Sequence, residues 1–498
     1  MTKIKMLNVF LEGIHLGVLQ EDLFGNHTFT YDLSSPSNAQ LSLSMPRRAA
    51  PWKGIAVEAY IDGILPDDPA VRQRIARLHG VNARNPFSLL TAVGLDCGGG
   101  VQFIPEKSDS LITETITPIS KEQIGQRLEK ITGEQPPSWQ SPDEHWSLNG
   151  AHDKLAVRFT NGQWYEAEGK AATTHIIKPG VSSLHEQAFN EYICLNTAKK
   201  LGIPVAQSDY CLFGGIPAIV SERWDRIVDN SVAPAIVKRI HQEDLCQAMS
   251  VMTDQKYESE GGPGATDIVH FMRDNGLPED SVHLFFKALV FNYIIAGGDA
   301  HAKNYAILEP IGGTPHLAPL YDIASYFAYD TQRKERKLAM RIGGEYSWER
   351  IDLRHWHRFA EACTGQSDWE TLGNILLEYA LSTLPAFLQV SEEALALAQQ
   401  LEQSATGEQT ANKFELIMRI RDGIAAQSTR ILSWFATANG GNALLLFAVP
   451  LTIRLEHNHL RLRLIFRFRP HDPLIGWLFL LLFLLLLLLL LLQQLLLP

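Results

Sequence analysis

Residues 281–308, SVHLFFKALVFNYIIAGGDAHAKNYAIL, constrain the fold more than any other stretch of the 498-residue chain. Val282, Phe285, Phe286, Leu289, Val290, Tyr293 and Ile294 recur every three or four residues and make one broad apolar face, the pattern of a core helix. Gly297 and Gly298 stop that helix, and Asp299, His301, Lys303 and Asn304 follow within a few residues. A polar loop of this kind directly behind a core helix is held on a rigid support. Beyond it, NYAIL and HLAPLYDIASYF read as two short strands joined by a turn at Gly312–Gly313, which brings Asn304 and Asp322 near one end of the same hairpin.

The remainder of the chain sets bounds on that site. The length allows two to four domains with a large core. A formal net charge of −11 argues against non-specific nucleic-acid binding by a basic surface. Five cysteines, Cys97, Cys194, Cys211, Cys246 and Cys363, are scattered without a Cys-x-x-Cys pair, which disfavours a disulfide framework or a structural zinc site and fits a reducing cytoplasm. The first residues, MTKIKMLNVFLEG, alternate as a strand does and lack a signal-peptide core. After about residue 439 the composition shifts to five arginines, no lysine and then mostly leucine. Leu474–Leu492 is long and apolar enough for a membrane helix, so two readings stand: a C-terminal anchor, or sequence read in a shifted frame.

Local signals divide the chain further. Residues up to about 45 read as short strands broken at Glu12–Gly13. DDPAVRQRIARLHGV predicts a helix with Pro69 in its first turn and Gly80 at its stop. Ser120 and Gln123 form a capping-box signature for a helix that Gly133 would end, and EQPPSWQSPDEHW reads as a linker. A boundary is drawn near residue 140. Next come a hairpin around Asn161–Gly162, a buried-type strand TTHIIK ending in Lys178, a helix carrying Glu191, and a second hairpin around Gly214–Gly215. That order outlines a small lobe that clasps a nucleotide. From about residue 240 helices dominate.

Asp299 and Asn304 stand in a D-x4-N spacing, as do the catalytic aspartate and the magnesium-binding asparagine of protein kinases. Alone the spacing also suits turn-capping residues. Asp322 would add a carboxylate at the end of an apolar strand, where burial is costly unless it is paired or metal-bound. Asn304 and Asp322 would supply hard oxygen ligands for magnesium, with phosphate and water completing the shell. Lys178 and Glu191 could pair to hold the α- and β-phosphates, or form a plain surface ion pair. In SLNGAHDK, Gly150 offers backbone N–H groups and Lys154 a charge for phosphate cradling, without the pattern of a Walker loop. Lys303 could neutralise a transferring phosphate. His301 could equally be a donor that braces the loop.

SLNGAHDKLAV, THIIK, NEYICLNTAKKLGIPV, ERWDR, HQEDLCQ, KYESEGGPG, GGDAHAKNYAIL, PLYDIAS and KLAMRIGG occur in one order and together resemble the HipA family of serine/threonine-kinase toxins from type II toxin–antitoxin modules. SLSMP, ILPDDPAVRQRI and NPFSLL resemble that family's N-terminal subdomain, so the likeness runs from about residue 5 to about 435. The resemblance implies an α+β chain: a small β-rich N-terminal subdomain with linker (1–140), then a two-lobed protein-kinase-like, phosphatidylinositol-kinase-like fold with an ATP-clasping lobe (141–240) and an α-helical C-lobe (241–438); the tail (439–498) has no family counterpart. It implies ATP and magnesium, Asp299 as catalytic base, and Asn304 and Asp322 as metal ligands. Asn149, Gly150, Ala151, His152, Asp153, Lys154 and Lys178 would hold phosphates, with His301 and Lys303 nearby, Glu191 in support, and Glu222 and Trp224 lining the adenine. Ser147 matches the autophosphorylated serine of the family. The implied partners are a HipB-like dimeric helix-turn-helix antitoxin, operator DNA through that antitoxin, and a protein substrate in translation, glutamyl-tRNA synthetase in the best-studied case. A membrane enters only if the tail is genuine. His152 and Asp153 depart from the glutamine and glutamate common in this loop.

Overall fold

The computed structural model describes residues 5–106, 113–132, 143–150, 153–181, 184–329, 336–363, 366–402 and 407–438, together with 452–456 and 459–463. Residues 1–445 form one compact unit.

The chain opens with an antiparallel sheet whose strands lie in the order Trp52–Lys53, His27–Tyr31, Ile14–Glu21, Lys5–Leu11, Val101–Pro105. Alternation along Lys5–Leu11 turns Leu7, Val9 and Leu11 into the core, and Glu12 and Gly13 make the tight turn with φ of 49° and 83°. Helices Ile55–Gly63, Pro69–His79 and Pro86–Val93 supply Tyr60, Ile61, Ile75, Phe87 and Leu90 to the same apolar cluster. Pro69–His79 begins and ends as its sequence requires: the Asp68 side chain accepts from the Ala70 N–H, and Gly80 takes the left-handed conformation at the C-cap.

A second antiparallel sheet has six strands in the order Ser208–Phe213, Ile216–Glu222, His175–Pro179, Leu155–Thr160, Gln163–Gly169, Glu114–Pro118. Both expected hairpins are present, with positive φ at Asn161, Gly162, Gly214 and Gly215. The outermost strand, Glu114–Pro118, lies before the boundary drawn near residue 140. So does the helix Lys121–Thr132, whose capping box is present: Ser120 N–H donates to Gln123 Oε1 at 2.8 Å and Gln123 N–H to Ser120 Oγ at 3.2 Å. Pairing thus carries residues 114–132 into the sheet of the following lobe, because backbone groups of Gln163–Gly169 need a partner on that side. Gly133 and most of the linker lie outside the described residues.

Helix Gln187–Lys200 packs on this sheet through Phe189 and Ile193, while Ile219 and Tyr210 reach it from the strands. In the helical part, Glu279–Ile295 is the central rod. Every residue of its expected apolar face is buried, and Phe291 and Ile295 on other sides are buried too. Helices Ala265–Asp274, Leu353–Cys363, Gln366–Leu401 and Gly407–Ala438 surround it. The rod stops at Ala296 (φ 54°), and Gly297 is held to glycine by crowding, since a Cβ there would sit 2.3 Å from Asn292 Oδ1.

Near the C-terminus, Thr452–Glu456 and His459–Arg463 form an antiparallel hairpin in a separate unit. Leu474–Leu492 lies outside the described residues. Among the described residues no helix is long and apolar enough to cross a membrane.

Candidate active site

A cavity of about 320 Å³ lies between the six-stranded sheet and the helical part. Lys178 enters it from the strand His175–Pro179, where alternation turns its side chain away from buried Ile177. Its ammonium donates to Glu191 Oε1 at 3.1 Å and to Asp322 Oδ1 at 2.9 Å. Burial works against that charge, but Asp322 and Glu191 outweigh it and hold Lys178 above the ordinary lysine range. One cation therefore ties the sheet, the Gln187–Lys200 helix and the segment after the last hairpin.

Asp322 itself differs from the expectation. It is not part of a buried strand: the three-stranded sheet runs Gln242–Asp244, Ala306–Leu308, His316–Leu317 and ends before it. Asp322 takes a left-handed φ of 57°, and its side chain keeps 37% of its exposure. A non-glycine residue in that region is strained, and in this conformation the carboxylate meets Lys178. The apolar run PLY suggested that the strand continued, and the turn has no sequence signal of its own.

Asp299–Asn304 is braced mainly by its own backbone. His301 N–H donates to Asp299 O at 2.8 Å, Asn304 N–H to His301 O at 2.9 Å, and Asn304 Nδ2 to Asp299 O at 2.9 Å. These bonds place Asn304 at the end of a short 3-10 turn, Ala302–Asn304, rather than in the strand that follows. The Asp299 carboxylate accepts from the Tyr257 hydroxyl at 2.5 Å. His301 is buried with its ring edge-on to Tyr257 at 4.9 Å, and burial, with Lys256 nearby, pushes it down to about 4, so the ring is neutral. Among the described residues its Nδ1 has no hydrogen-bond partner, and the bracing bonds come from the His301 backbone.

Lys303 lies deeper than its place in the loop suggested, although it lines the cavity. Its ammonium is almost wholly enclosed, donating to Gly63 O at 3.0 Å and Thr253 Oγ1 at 3.2 Å, with Asp67 and Asp244 each at 3.4 Å. Those contacts hold the loop in place.

In the loop after Trp146, Ser147 is buried, with Oγ donating to Ile64 O at 3.0 Å. Asn149 Nδ2 donates to Asp244 Oδ2 at 3.0 Å. Gly150 has φ 104°, and a Cβ there would meet Lys154 Nζ at 2.8 Å. Lys154 donates to Asn149 O at 2.5 Å, and burial together with the neighbouring Lys178 pushes it down to about 8. Asp153 does not line the cavity: Arg74 Nη2 donates to both its oxygens at 2.8 Å. Its place is the outer anchor of the loop. Ala151 and His152 lie outside the described residues.

On the opposite wall, exposed Glu222 ends the strand Ile216–Glu222, and the Trp224 ring lies 4.9 Å from Tyr321 with Nε1 donating to Gln242 Oε1 at 2.6 Å. Arg223, Asp225 and Arg226, between and beyond them, are buried in an ion network with Asp96 and Arg239. Residue-by-residue reading missed this network, as it missed Asp67, Asp244, Lys256 and Tyr257 at the cavity. Their one sequence signal is that ILPDDPAVRQRI, ERWDR, HQEDLCQ and KYESEGGPG carry family likeness, with only Glu222 and Trp224 among them given a role.

Among the described residues no group of three or more His, Cys, Asp or Glu side chains is arranged to hold a metal ion. Asn304 and Asp322 line the cavity together with further carboxylates, among them Asp299, Glu191, Asp67 and Asp244. Without a ready cluster of ligands, Asn304 and Asp322 do not suit a resident metal. They fit magnesium that arrives with phosphate oxygens and keeps part of its water shell.

Comparison with known proteins follows the same outline. Residues 7–104 match the HipA N-terminal domain and residues 146–387 the HipA-like C-terminal domain. The chain is 32% identical to the candidate kinase Y4mE of Sinorhizobium fredii over 72% of its length and 86% of that protein. It is also 32% identical to the serine/threonine-protein kinase toxin HipA of Shewanella oneidensis, over 58% of its length and 67% of that protein. Among solved structures, a complex of HipA, HipB and operator DNA from the Shewanella oneidensis toxin–antitoxin system matches with a TM-score of 0.72 at 22% identity, covering 86% of this chain and 98% of the matched one, a likeness of fold. With both halves matched in order and a relative this similar along most of its length, the chain belongs to the HipA family.

Proposed function

We propose that the protein is an ATP- and magnesium-dependent serine/threonine kinase acting as the toxin of a type II toxin–antitoxin module. The observation that carries this reading is the Lys178 ammonium shared by Glu191 and Asp322 in a cavity that also holds Asp299 and Asn304. Kinase names among the relatives support it.

In this reading Lys178 and the Gly150 loop bind the α- and β-phosphates, and Glu191 keeps Lys178 aimed at them. Trp224 and Tyr321 wall the adenine, and Glu222 sits at its edge. Asn304 and Asp322 hold magnesium, which neutralises phosphate charge when bound. Asp299 accepts the proton of the acceptor hydroxyl and orients it for in-line attack. Lys303 and the backbone of His301 keep that loop rigid.

Asp322→Ala is expected to weaken magnesium–ATP binding by about tenfold or more, because it removes a carboxylate from the metal and from Lys178. Titration calorimetry with magnesium present and absent measures it. Equal affinity in the variant would remove Asp322 from the metal set.

Ser147 is read as the self-phosphorylation site, whose modification would silence the enzyme. With Oγ buried against Ile64 O, the hydroxyl reaches a phosphate donor only after the loop leaves its seat. Residues 1–439 incubated with labelled ATP and magnesium are expected to carry phosphate on Ser147, and Ser147→Ala to carry none there. Folded protein that binds ATP yet never becomes labelled would favour a non-catalytic co-repressor on the antitoxin–operator complex.

Partners in this proposal are a HipB-like helix-turn-helix antitoxin dimer, operator DNA reached through it, and a translation component, with glutamyl-tRNA synthetase as first candidate. The Shewanella complex of HipA, HipB and operator DNA supports the first two. A cytoplasmic site of action is consistent with five unpaired cysteines. We place the ATP-clasping lobe in residues 114–240 and the helical lobe in 241–438, with residues 63–67 of the N-terminal subdomain completing the cavity.

A further inference from the structure

One turn of the N-terminal subdomain touches two loops of the cavity, Ser147–Gly150 and Asp299–Asn304. Residues 63–67, Gly-Ile-Leu-Pro-Asp, follow the helix Ile55–Gly63. The Gly63 carbonyl accepts from Lys303, which lies inside the Asp299–Asn304 loop, at 3.0 Å. The Ile64 carbonyl accepts from Ser147 Oγ at 3.0 Å. Asp67 makes a reciprocal pair with Gly150: its N–H donates to Gly150 O at 3.1 Å, and its carboxylate accepts from the Gly150 N–H at 3.2 Å. Both ends of the Ser147–Gly150 segment are thus held by one short strap.

The strap is itself fixed. Arg72, on the following helix, donates to the Asp62 carboxylate at 2.7 Å, to Asp62 O at 3.2 Å and to Pro66 O at 2.6 Å, bracketing the turn from both sides. Leu65 is fully buried, and a Cβ on Gly63 would press to 2.5 Å from Gln247 Cγ. Asp67 ends in two ammonium groups from the helical half, Lys256 at 2.9 Å and Lys303 at 3.4 Å. Burial opposes its charge, but those lysines outweigh it and hold the carboxyl down at about 2.

We propose that Asp67 is a positioning residue for the phosphate loop: the N-terminal subdomain holds that loop in its seat through Asp67 and Gly150, and thereby sets both nucleotide affinity and the shielding of Ser147. The proposal deepens the nucleotide-site reading, and its kinetic arm rests on that reading.

Hydrogen exchange on the full chain tests the proposal apart from catalysis. In Asp67→Asn, which keeps shape but loses charge, peptides covering Ser147–Gly150 are expected to exchange about tenfold faster, the factor for one lost charge-assisted bond. The helices Ile55–Gly63 and Pro69–His79 stay protected. The KM for ATP rises by a similar factor while kcat changes far less. Asp67→Glu keeps the charge for Lys256 and Lys303 but overshoots Gly150, so it gives an intermediate rise and remains informative if Asp67→Asn does not fold. A Ser147–Gly150 segment as protected as in wild type in the folded variants would overturn the strap. A wild type that turns over no ATP would count against the kinase reading and leave the exchange result standing. Faster exchange across both helices as well would mean a general loss of structure and would also overturn it.

Discussion

Asp299→Asn is expected to lower phosphoryl transfer about a thousandfold while leaving ATP binding within about twofold, since a positioned base contributes roughly 10²–10⁴ to such a step. The substitution is nearly isosteric, and its neighbours tolerate it. Tyr257 still has an amide oxygen to donate to, and the bonds from His301 N–H and Asn304 Nδ2 go to the backbone carbonyl of residue 299, which is unchanged. What disappears is an oxygen basic enough to take the acceptor proton. Paired measurements of label transfer and nucleotide affinity separate the two effects. Transfer at wild-type rate would move the base elsewhere. Loss of transfer together with loss of affinity would make Asp299 a ligand of the nucleotide complex instead.

For stability, the largest effect is expected at Asp96. Its carboxylate is fully buried, accepts from Arg226 at 2.9 Å and from Arg239 at 2.9 and 3.1 Å, has Arg223 at 3.4 Å, and takes the Thr173 N–H at 3.0 Å. Burial alone would raise its pKa, but Arg226, Arg239 and Arg223 outweigh it and hold it far below the usual carboxylate range. Asp225 shares two of those guanidiniums. Asp96→Asn leaves three arginines around one carboxylate, and breaking a buried pair in this way costs about 3–5 kcal/mol. A urea titration is expected to show the midpoint falling accordingly, and an unchanged midpoint would mean that the network is not structural. The sign with pH follows from the lowered pKa. Stabilisation by Asp96 is fully present above the unfolded carboxylate value near 4 and is lost as the solution is acidified toward the folded value. Because Arg223 lies between Glu222 and Trp224, a loosened network also shifts the proposed adenine wall.

The parts of the site that were legible in the sequence are those with local signatures. The core helix before Gly297, the hairpins at Asn161–Gly162 and Gly214–Gly215, and the Ser120–Gln123 cap each depend on residues a few positions apart, and each is in the structure. The Lys178–Glu191 pair was also reachable, because a strand and the next helix are adjacent in space when the loop is short. Asp67, Lys256 and Asp96 were not reachable from spacing, since their partners lie tens to hundreds of residues away and an acid in a polar stretch carries no mark of its destination. Lys303 shows a different limit of local reading. Its position between Asp299 and Asn304 suggested phosphate chemistry, yet the N-terminal subdomain covers it, and no local reading of the loop contains that subdomain. Asp322 was misplaced because apolar residues continue past the last ladder bond.

The pairing of Glu114–Pro118 with Gln163–Gly169 bears on how this chain can be dissected and recombined. A fragment begun at residue 141 would keep most of the nucleotide cavity but lose its wall at Gly63, Ile64 and Asp67, the outer strand, and the helix that places Ile124 and Leu128 against Phe213. It would expose an apolar floor and an unpaired edge, the two features that invite aggregation. Gly125 marks how close that seam is, since a Cβ there would lie 2.7 Å from Phe213 O. The amino-terminal block and the lobe behind it therefore behave as one heritable piece, and the block cannot be exchanged between relatives unless its last strand and helix travel with the sheet they complete.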